Sequence, residues 1–467
     1  MFCNLLRRFF SCAACCGFLL SCWAGLCAAK LDEVQPPARR LDPMIQKIVG
    51  EISEERVAVI LLKLESFETR NTLSDPTQTN RGIGLARQWI FDQLKSYHSR
   101  LQVSFDTHTI PKGGRIWKEV ELRNVVALLP GKLKQATNHW IVVAGHYDSL
   151  NLKIPPEMRN QREKAVELYA PGVSDDGSGT ACVLECARVL SQYEFDATLV
   201  FVAFAGEEQG LVGARALAKR WRDQKQTIEA LLNNDIIGTD ISGNGMSGPA
   251  RVLLFSEEPN DSPSRQIARF LRAVAMRYYP AMSVDLIFRH DRFGRGGDHT
   301  AFNQEGYAAV RFTTANENFA DQHGPTDTFT NASVSYTTKV IRINAAGAAA
   351  LALAPKAPLT KSATAARNKS RPGLSRGAGY DAVLRWEQPD PEPDLAGFIV
   401  VVRATTAPDW EREIPVGNVR EFTLKNTPID QLVFGVKAVD RDGHESLVSA
   451  YVTQPRPATD SPPESDQ

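Results

Sequence analysis

Residues 140–149, WIVVAGHYDS, run from an apolar stretch directly into a histidine and an aspartate. Two later segments have the same layout: residues 198–210, TLVFVAFAGEEQG, contain a pair of glutamates, and residues 228–238, IEALLNNDIIG, carry an aspartate. Short apolar stretches of this kind are typical of strands buried on both faces. Because the carboxyl ends of strands in an open α/β sheet line a ligand crevice, the three segments predict one site built from distant parts of the chain.

Further apolar runs over residues 125–129, 252–255 and 308–312 predict three more strands. Apolar residues at helical spacing fill much of the sequence around these strands. The spacing predicts helices over residues 41–65, 82–97, 179–192, 209–221, 264–277 and 334–354. Strands that alternate with helices are typical of a sheet covered on both faces. We therefore expect an α/β domain over residues 30–354, with a mostly parallel mixed sheet flanked by helices.

The composition changes behind this domain. Residues 355–378 are rich in Lys, Ala, Ser, Pro and Gly and have no apolar period, which predicts a linker. Residues 379–455 show short alternating stretches without a helical pattern, which predicts an all-β sandwich. The spacing from Trp386 to VFGVKAVDRDGHES resembles a fibronectin type III module, although Leu432 stands where such modules usually have a tyrosine. The acidic, Pro/Ser-rich residues 456–467 predict a disordered tail.

The amino terminus has the pattern of an export signal. Over residues 1–29, Arg7 and Arg8 precede an apolar run that ends in small residues, which predicts a cleaved signal peptide. The mature protein is then expected to be secreted, periplasmic or otherwise extracellular. Residues 19–22, LLSC, resemble a lipobox, and the alternative is a lipoprotein attached to a membrane at Cys22.

Charge and cysteine usage narrow the class of protein. The chain has 54 Lys+Arg and 54 Asp+Glu residues, whereas a nucleic-acid-binding protein would show a basic excess. Six of the eight cysteines lie in the leader, and only Cys182 and Cys186 remain, four positions apart on a predicted helix. A straight helix does not readily give that pair the geometry of a disulfide, so we expect none in the mature chain.

Two further segments are rich in residues that bind metal ions. Residues 172–180, GVSDDGSGT, hold Asp175 and Asp176 before a predicted helix, and residues 321–327, DQHGPTD, hold His323. Each aspartate alone would be assigned to a helix cap, and each histidine to an ordinary core or surface position. Gathered with the residues at the strand ends, however, so many carboxylates would repel one another unless a cation were present. Imidazole and carboxylate ligands without cysteine form a set that suits zinc.

The motifs GHYDS, DDGSG and GEE, in this order, resemble the co-catalytic zinc peptidases that include bacterial leucyl aminopeptidase and glutamate carboxypeptidase, metallopeptidase family twenty-eight. The resemblance covers residues 45–353. It implies two zinc ions and a general base at matching positions: His146 and Asp235 on one zinc, Glu208 and His323 on the other, Asp175 bridging both, and Glu207 as the base. It also implies that the peptide bond between the two adjacent aspartates is cis.

Four residues near these motifs are expected to support the ligands or to face the substrate. Asp148, in GHYDS, is placed to orient His146. Asp176 adjoins the bridging aspartate, and Asp298 and His299 lie in RFGRGGDHTAF, which resembles part of the rim of the family's site. The alternative for the last two is a helix cap at Asp298 followed by an ordinary buried histidine.

One position departs from the family. Several members have a tyrosine immediately before the last histidine, and its hydroxyl stabilises the oxyanion. In this chain that position is Gln322. Either zinc alone or another side chain must then do this work, and Tyr147, Tyr278 and Tyr307 are the candidates that the sequence offers.

The sequence as a whole predicts a secreted aminopeptidase with two zinc ions that cleaves the N-terminal bond of peptides. A carboxypeptidase or dipeptidase of the same fold is an alternative, because Arg289, Arg292 and Arg295 could bind a carboxylate. A single-zinc glutaminyl cyclase and a binding protein with an inactive domain are further alternatives, disfavoured by the complete ligand set, especially Asp235. The expected partners are peptide substrates, and no nucleic acid is expected. Contact with a membrane is expected only if a lipid is attached at Cys22. The C-terminal module is expected to contact a polysaccharide or another protein.

Overall fold

The computed structural model describes residues 41–134, 136–360 and 372–452. One eight-stranded mixed sheet forms the centre of the α/β domain. Its strands are β1 (Gln102–Ile110), β2 (Val120–Leu129), β3 (His139–His146), β4 (Thr198–Phe204), β5 (Thr227–Asn234), β6 (Arg251–Ser256), β7 (Ser283–Ile287) and β8 (Ala309–Thr314). They lie in the order β1-β2-β4-β3-β5-β8-β6-β7, and the central strands β4, β3, β5 and β8 are parallel.

Helices cover both faces of this sheet. They are α1 (Pro43–Glu51), α2 (Glu54–Glu65), α3 (Ile83–Tyr97), α4 (Arg162–Ala165), α5 (Ser178–Leu190), α6 (Val212–Asp223), α7 (Pro263–Tyr278), α8 (Asp298–Gln304) and α9 (Val334–Leu353). Side chains alternate along β3, so that Ile141 and Val143 pack in one core with α5, α7 and α9, whereas Val142 and Ala144 pack in a second core with α6 and α8. This arrangement confirms the predicted fold class.

The structure differs from the predicted elements at several places, and the short helices α4 and α8 were not predicted. The helix expected over residues 41–65 is two helices, because the chain leaves the helical conformation at Ile52 and the Ser53 hydroxyl caps α2, accepting the N–H of Arg56 at 3.2 Å. Strands β1 and β7 were not predicted. Both are edge strands whose residues are mostly exposed or half-buried, so neither has the apolar run that marks the central strands.

Two antiparallel sheets follow the α/β domain and agree with the predicted all-β module. One contains β9 (Gly373–Arg376), β10 (Ala382–Arg385) and β13 (Glu421–Leu424), and the other contains β11 (Leu395–Ala404), β12 (Arg412–Gly417), β14 (Leu432–Asp440) and β15 (Ser449–Ala450). Trp386, Phe398 and Phe434 are buried in the core of this module. Strand β9 falls within the segment predicted as a linker, and the resemblance to fibronectin type III stays a prediction.

Polar side chains connect the module to the α/β domain. The buried Arg403 pairs with Asp261 at 2.6 Å, and Trp410 Nε1 donates to Gln266 Oε1 on α7 at 3.1 Å. Nothing in the linker sequence indicates this docking, because the contacts come from loops and strands on both sides of the linker.

Several sequence predictions fall on residues outside the described part of the chain. These are the signal peptide at residues 1–29, the lipid alternative at Cys22 and the tail at residues 456–467. Among the helices that are described, none combines the length and the apolar character needed to cross a bilayer. Cys182 and Cys186 are buried on α5, with their sulfur atoms 4.0 Å apart.

Candidate metal centre

Glycines allow three chain segments to meet at the carboxyl ends of the central strands. A Cβ on Gly145, at the end of β3, would lie 2.6 Å from the backbone of Gly179, on α5. A Cβ on Gly179 would lie 2.2 Å from both the carbonyl oxygen of Asn234, at the end of β5, and a carboxylate oxygen of Asp176. The glycines of GHYDS and DDGSG are therefore required by this close approach of backbones.

Six of the predicted site residues gather here in two groups. The first cluster consists of His146, Glu207 and Asp235, and the second cluster consists of Asp175, Glu208 and His323. Within each cluster, one potential ligand atom per residue lies within 4.8 Å of the others. Each cluster therefore has the size and composition of a metal site, while the assignment of Glu207 as a base and of the others as ligands stays a prediction.

Asp175 connects the two clusters through its two carboxylate oxygens. Its Oδ1 lies 3.3 Å from His146 Nε2, and its Oδ2 lies 3.0 Å from His323 Nε2. His323 Nε2 is also 3.2 Å from Glu208 Oε2, and the peptide bond before Asp176 is cis, as expected. One carboxylate that faces a histidine on each side is the arrangement expected of a bridging ligand.

Asp148 fixes the residues around it with both its carboxylate and its backbone. Its carboxylate oxygens accept the N–H groups of Glu207 at 3.2 Å and Glu208 at 3.3 Å. His146 Nδ1 lies 3.1 Å from the Asp148 carbonyl and 3.4 Å from its Oδ1, which directs Nε2 toward the clusters. Asp148 thus orients His146, as predicted, and also holds the turn that carries both glutamates.

Asp176 points away from both clusters and ties three segments together. Its carboxylate accepts the backbone N–H groups of His146 at 3.1 Å, Gly179 at 2.9 Å and Ile236 at 3.2 Å. It therefore acts on the site through the backbone and is not one of the gathered ligand atoms.

The pKa values of the ionisable groups at the site are strongly shifted because these groups are buried together. Burial and the neighbouring Asp175 raise the pKa of Glu208 to about 7. Burial would lower the pKa of His323, but contacts with Asp175 and Glu208 raise it to about 11. Burial likewise raises the pKa of Glu207 and of Asp235. The buried carboxylates cannot all ionise, and the imidazoles beside them are protonated. Metal cations would take the place of these protons, so the arrangement favours a metal site.

Two buried atoms support the fit of a metal ion. In the described part of the chain, His146 Nε2 and Glu208 Oε1 make no hydrogen bond, although buried polar atoms usually have a partner. The donor set of two imidazoles and several carboxylates, without sulfur, is one that zinc accepts. The residues therefore fit zinc at both clusters.

Asp298 and His299 lie beside the site but not in either cluster. Asp298 is the first residue of α8 and Gly297 is its N-cap, so the alternative of a cap at Asp298 is wrong. The Asp298 carboxylate is fully buried without a hydrogen-bond partner among the described residues. Its pKa is raised by burial and by Asp235. His299 Nε2 lies 3.1 Å from the carbonyl of His290.

Sequence reasoning missed three buried residues around the clusters. Asp327 accepts the N–H groups of Ser174 at 2.8 Å and Asp175 at 2.9 Å, and thereby anchors the turn of the bridging carboxylate. Arg70 donates to the carbonyls of Tyr147 and Gly172 at 2.6 and 2.8 Å. The third is Arg311, on β8, which pairs with Asp235 at 3.0 Å. Asp327 falls within the quoted segment DQHGPTD, whereas no motif marks the other two.

Two of the three rim arginines are already paired with a carboxylate. Glu317 accepts hydrogen bonds from Arg292 at 2.9 Å, Arg295 at 2.7 Å and Gln322 at 3.0 Å. Arg289 stacks over the ring of Phe293 with the guanidinium 3.5 Å from its centroid. The positive charge that would favour a substrate carboxylate is therefore partly neutralised within the protein.

None of the three candidate tyrosines replaces the missing hydroxyl. The Tyr147 hydroxyl donates to the carbonyl of Arg123 at 2.7 Å, and the Tyr307 hydroxyl donates to the carbonyl of Gln226 at 3.1 Å. The Tyr278 hydroxyl accepts the N–H of Asp42 at 3.0 Å. All three hydroxyls are thus bound to backbone groups of other segments.

A mixed α/β sheet with two histidine–carboxylate clusters at its central strand ends indicates a metal-dependent enzyme. The sequence model of peptidase family M28 matches residues 124–348 of this chain. A probable zinc metalloprotease of Pyricularia oryzae is 35% identical over 441 residues, which cover 87% of this chain and 84% of that relative. The chain belongs to peptidase family M28 and is a zinc metalloprotease.

Solved structures with the same fold have different activities. The LapA aminopeptidase of Legionella pneumophila has a TM-score of 0.50 and 20% identity, covering 68% of this chain and 77% of its own. A glutaminyl cyclase of Macrostomum lignano has a TM-score of 0.50 and 17% identity, covering 66% of this chain and 94% of its own. Since this fold occurs with both activities, the reaction must be argued from the site.

Proposed function

We propose that this metalloprotease is an aminopeptidase that binds two zinc ions and removes the N-terminal residue of peptides. The observation that carries the proposal is the position of Asp175, with one oxygen 3.3 Å from His146 and the other 3.0 Å from His323. A glutaminyl cyclase would need only one of the two clusters, and a binding protein would need neither.

The side chains of the site have different roles in the proposed peptide hydrolysis. Bound zinc supplies activation of water near neutral pH and polarisation of the scissile carbonyl. Glu207 takes the proton of the attacking water and passes it to the leaving amine. Asp148 and Asp327 hold the backbone of the glutamates and of Asp175, so that these carboxylates need not reorganise during the reaction.

The charge around the site favours a substrate with a free amino terminus. Asp298 adds a buried carboxylate beside the clusters, whereas Arg292 and Arg295 are already engaged by Glu317. An ammonium group would be attracted to surplus carboxylates, and a substrate carboxylate would have to compete with Glu317 for its arginine.

The remaining parts of the proposal concern location and the C-terminal module. The export pattern of residues 1–29 supports secretion, with attachment through Cys22 as the alternative. A role of the module in contacting a polysaccharide or another protein is supported only by the resemblance of residues 379–455 to fibronectin type III modules.

The test combines zinc analysis with matched peptides. Elemental analysis of the purified chain should give two zinc ions, and a leucine-initiated peptide should be cleaved equally with a free or amidated carboxyl terminus. N-acetylation should abolish cleavage. Cleavage of the acetylated peptide that is lost on amidation would identify a carboxypeptidase. Strict dependence on both free ends would identify a dipeptidase, and cyclisation of N-terminal glutamine with one zinc would identify a cyclase.

A further inference from the structure

A buried arginine contacts the first cluster directly. Arg311 lies on β8 with its side chain fully buried, and its Nη2 is 3.0 Å from Asp235 Oδ1. The same nitrogen donates to the Asp235 carbonyl at 3.3 Å. This oxygen of Asp235 is also the one that lies 4.0 Å from His146 Nε2, so it faces the interior of the first cluster.

Arg311 is held in place from its other side. Its Nη1 donates to both carboxylate oxygens of Asp291, at 3.0 and 3.2 Å. Asp291 is itself buried and accepts a further hydrogen bond from Arg292 Nε at 2.9 Å. The guanidinium therefore cannot turn away when a cation binds at Asp235.

The second cluster has no such neighbour. In the described part of the chain, no lysine or arginine forms an ion pair with Asp175 or Glu208, and Arg115 reaches Glu208 only at its backbone carbonyl, at 3.0 Å. The only cationic partners of these two carboxylates among the described residues are the histidines of the site. The clusters therefore differ in one direct contact: a buried guanidinium touches a carboxylate of the first cluster, and among the described residues no arginine or lysine touches a carboxylate of the second.

We propose that Arg311 makes the two metal positions unequal, so that the first cluster binds zinc more weakly and exchanges it while the second cluster holds zinc tightly. The inference rests on the proposed binding of two zinc ions. Arg311 and the ion would share one Asp235 oxygen, which reduces the electron density available to the ion. The guanidinium also repels a dication through the protein interior, where charge interactions are screened less than in water. Arg311 is therefore a positioning residue that acts on zinc through Asp235.

The experiment is a zinc titration of the metal-free full chain at buffered free zinc, with bound zinc measured by elemental analysis. The unmodified chain should take up two zinc ions in separate steps, with affinities about tenfold or more apart. Asp235→Asn should remove the weaker step and keep the stronger one, which assigns the steps to the clusters.

A paired substitution tests the charge itself. Arg311→Gln with Asp291→Asn removes both charges, leaves the net charge unchanged and avoids a lone buried carboxylate. It should tighten the weaker step by about tenfold or more and leave the stronger step unchanged. Arg311→Lys keeps the charge with fewer donors and should keep the steps apart. As a matched control, Arg403→Gln with Asp261→Asn removes another buried pair, at the module, and should change neither affinity.

The outcomes separate this inference from the proposed function. A single zinc at saturation overturns the proposed function and the inference with it. Two zincs of equal affinity, or a paired variant whose weaker step does not tighten, overturn the inference alone. If the paired variant does not fold, two other measurements still decide. The unmodified chain and Arg311→Lys both keep the positive charge, so equal zinc affinities of the two clusters in either chain would contradict a role for that charge.

Discussion

Glu207 and Glu208 are adjacent in the chain, yet their carboxylates lie in different clusters. Glu207 is grouped with His146 and Asp235, whereas Glu208 Oε2 lies 3.2 Å from His323 Nε2. The backbone N–H groups of both glutamates are bound by the single carboxylate of Asp148. The two glutamate side chains therefore extend from one fixed turn into different clusters. For this reason we assign them different roles.

The two glutamates are expected to respond differently to the same substitution. Glu207→Gln should keep both zinc ions and the fold, because the general base is not one of the assigned zinc ligands, and should lower kcat by roughly a hundred- to ten-thousand-fold, the usual contribution of a general base. Glu208→Gln should lose or weaken zinc in the second cluster and lower the melting temperature, since metal binding contributes to folded-state stability.

Zinc content, kcat and melting temperature, measured together for both variants, check this expectation. Excess zinc should partly restore the Glu208 variant and leave the Glu207 variant inactive. Zinc loss in the Glu207 variant with retention in the Glu208 variant would show that the roles are exchanged.

The close approach at Gly179 gives a prediction about stability. Gly179→Ala places a Cβ 2.2 Å from the Asn234 carbonyl, where neither backbone can move without displacing a ligand segment. We expect a loss of about 3 kcal/mol or more in the free energy of unfolding, together with reduced zinc binding. Gly50→Ala is the matched control, because its Cβ would meet nothing within 4 Å on the exposed side of α1, and it should be neutral or stabilise by about 1 kcal/mol. Denaturant unfolding of both variants decides.

The candidates at the strand ends could be expected together because each follows an apolar strand that ends at the same edge of the sheet. The candidates in the turn before α5 and in the loop after β8 have no such strand, and their assignment came from the resemblance to the family. Alternation could also have excluded Tyr147, which directly follows β3: His146 points into the site, so the next side chain points to the other face. Arg311 could not be found in this way. Its partner Asp235 is far away in sequence, and only the pairing of β5 with β8 brings the two together.

The docking of the module against the α/β domain could not be predicted from the sequence, for a different reason. Composition identifies a linker by its lack of pattern, but it does not reveal which surfaces meet on either side. Arg403 lies in an apolar strand and Asp261 lies in a loop, and neither carries a motif. Contacts between single polar residues of separate layers depend on three-dimensional placement, which local periodicity does not encode.

The buried pair at this interface should matter for stability and not for zinc. Arg403→Met leaves Asp261 without its closest cation and should cost about 3 kcal/mol in the free energy of unfolding, with zinc content unchanged. The exposed pair of Arg376 with Asp430, in the same module, provides the control: Arg376→Met should cost less than about 1 kcal/mol. Equal melting temperatures for the two variants would contradict the importance of the docking contact.

A second contact between the module and the α/β domain should make stability depend on pH. His444 Nε2 lies 2.9 Å from Asp42 Oδ2, and its Nδ1 lies 2.8 Å from Asp440 Oδ2. Burial would lower the pKa of His444, but these two carboxylates raise it to about 9. Asp196, which pairs with Lys132 at 3.5 Å, also interacts with this histidine.

Because the folded state raises the pKa of His444 above its unfolded value of about 6.5, folding favours the protonated imidazolium. Its contribution should be fully present below about pH 6.5 and should be lost as the pH rises through about 9, amounting to about 1–3 kcal/mol. His444→Gln should remove this part of the profile, and Asp42→Asn should shift the loss to lower pH, since one of the two carboxylates that hold the proton is gone. The measurement is the free energy of unfolding of zinc-loaded protein between pH 6 and about 9.5 for the three chains. Parallel profiles for the unmodified chain and His444→Gln would show that this histidine does not couple docking to protonation.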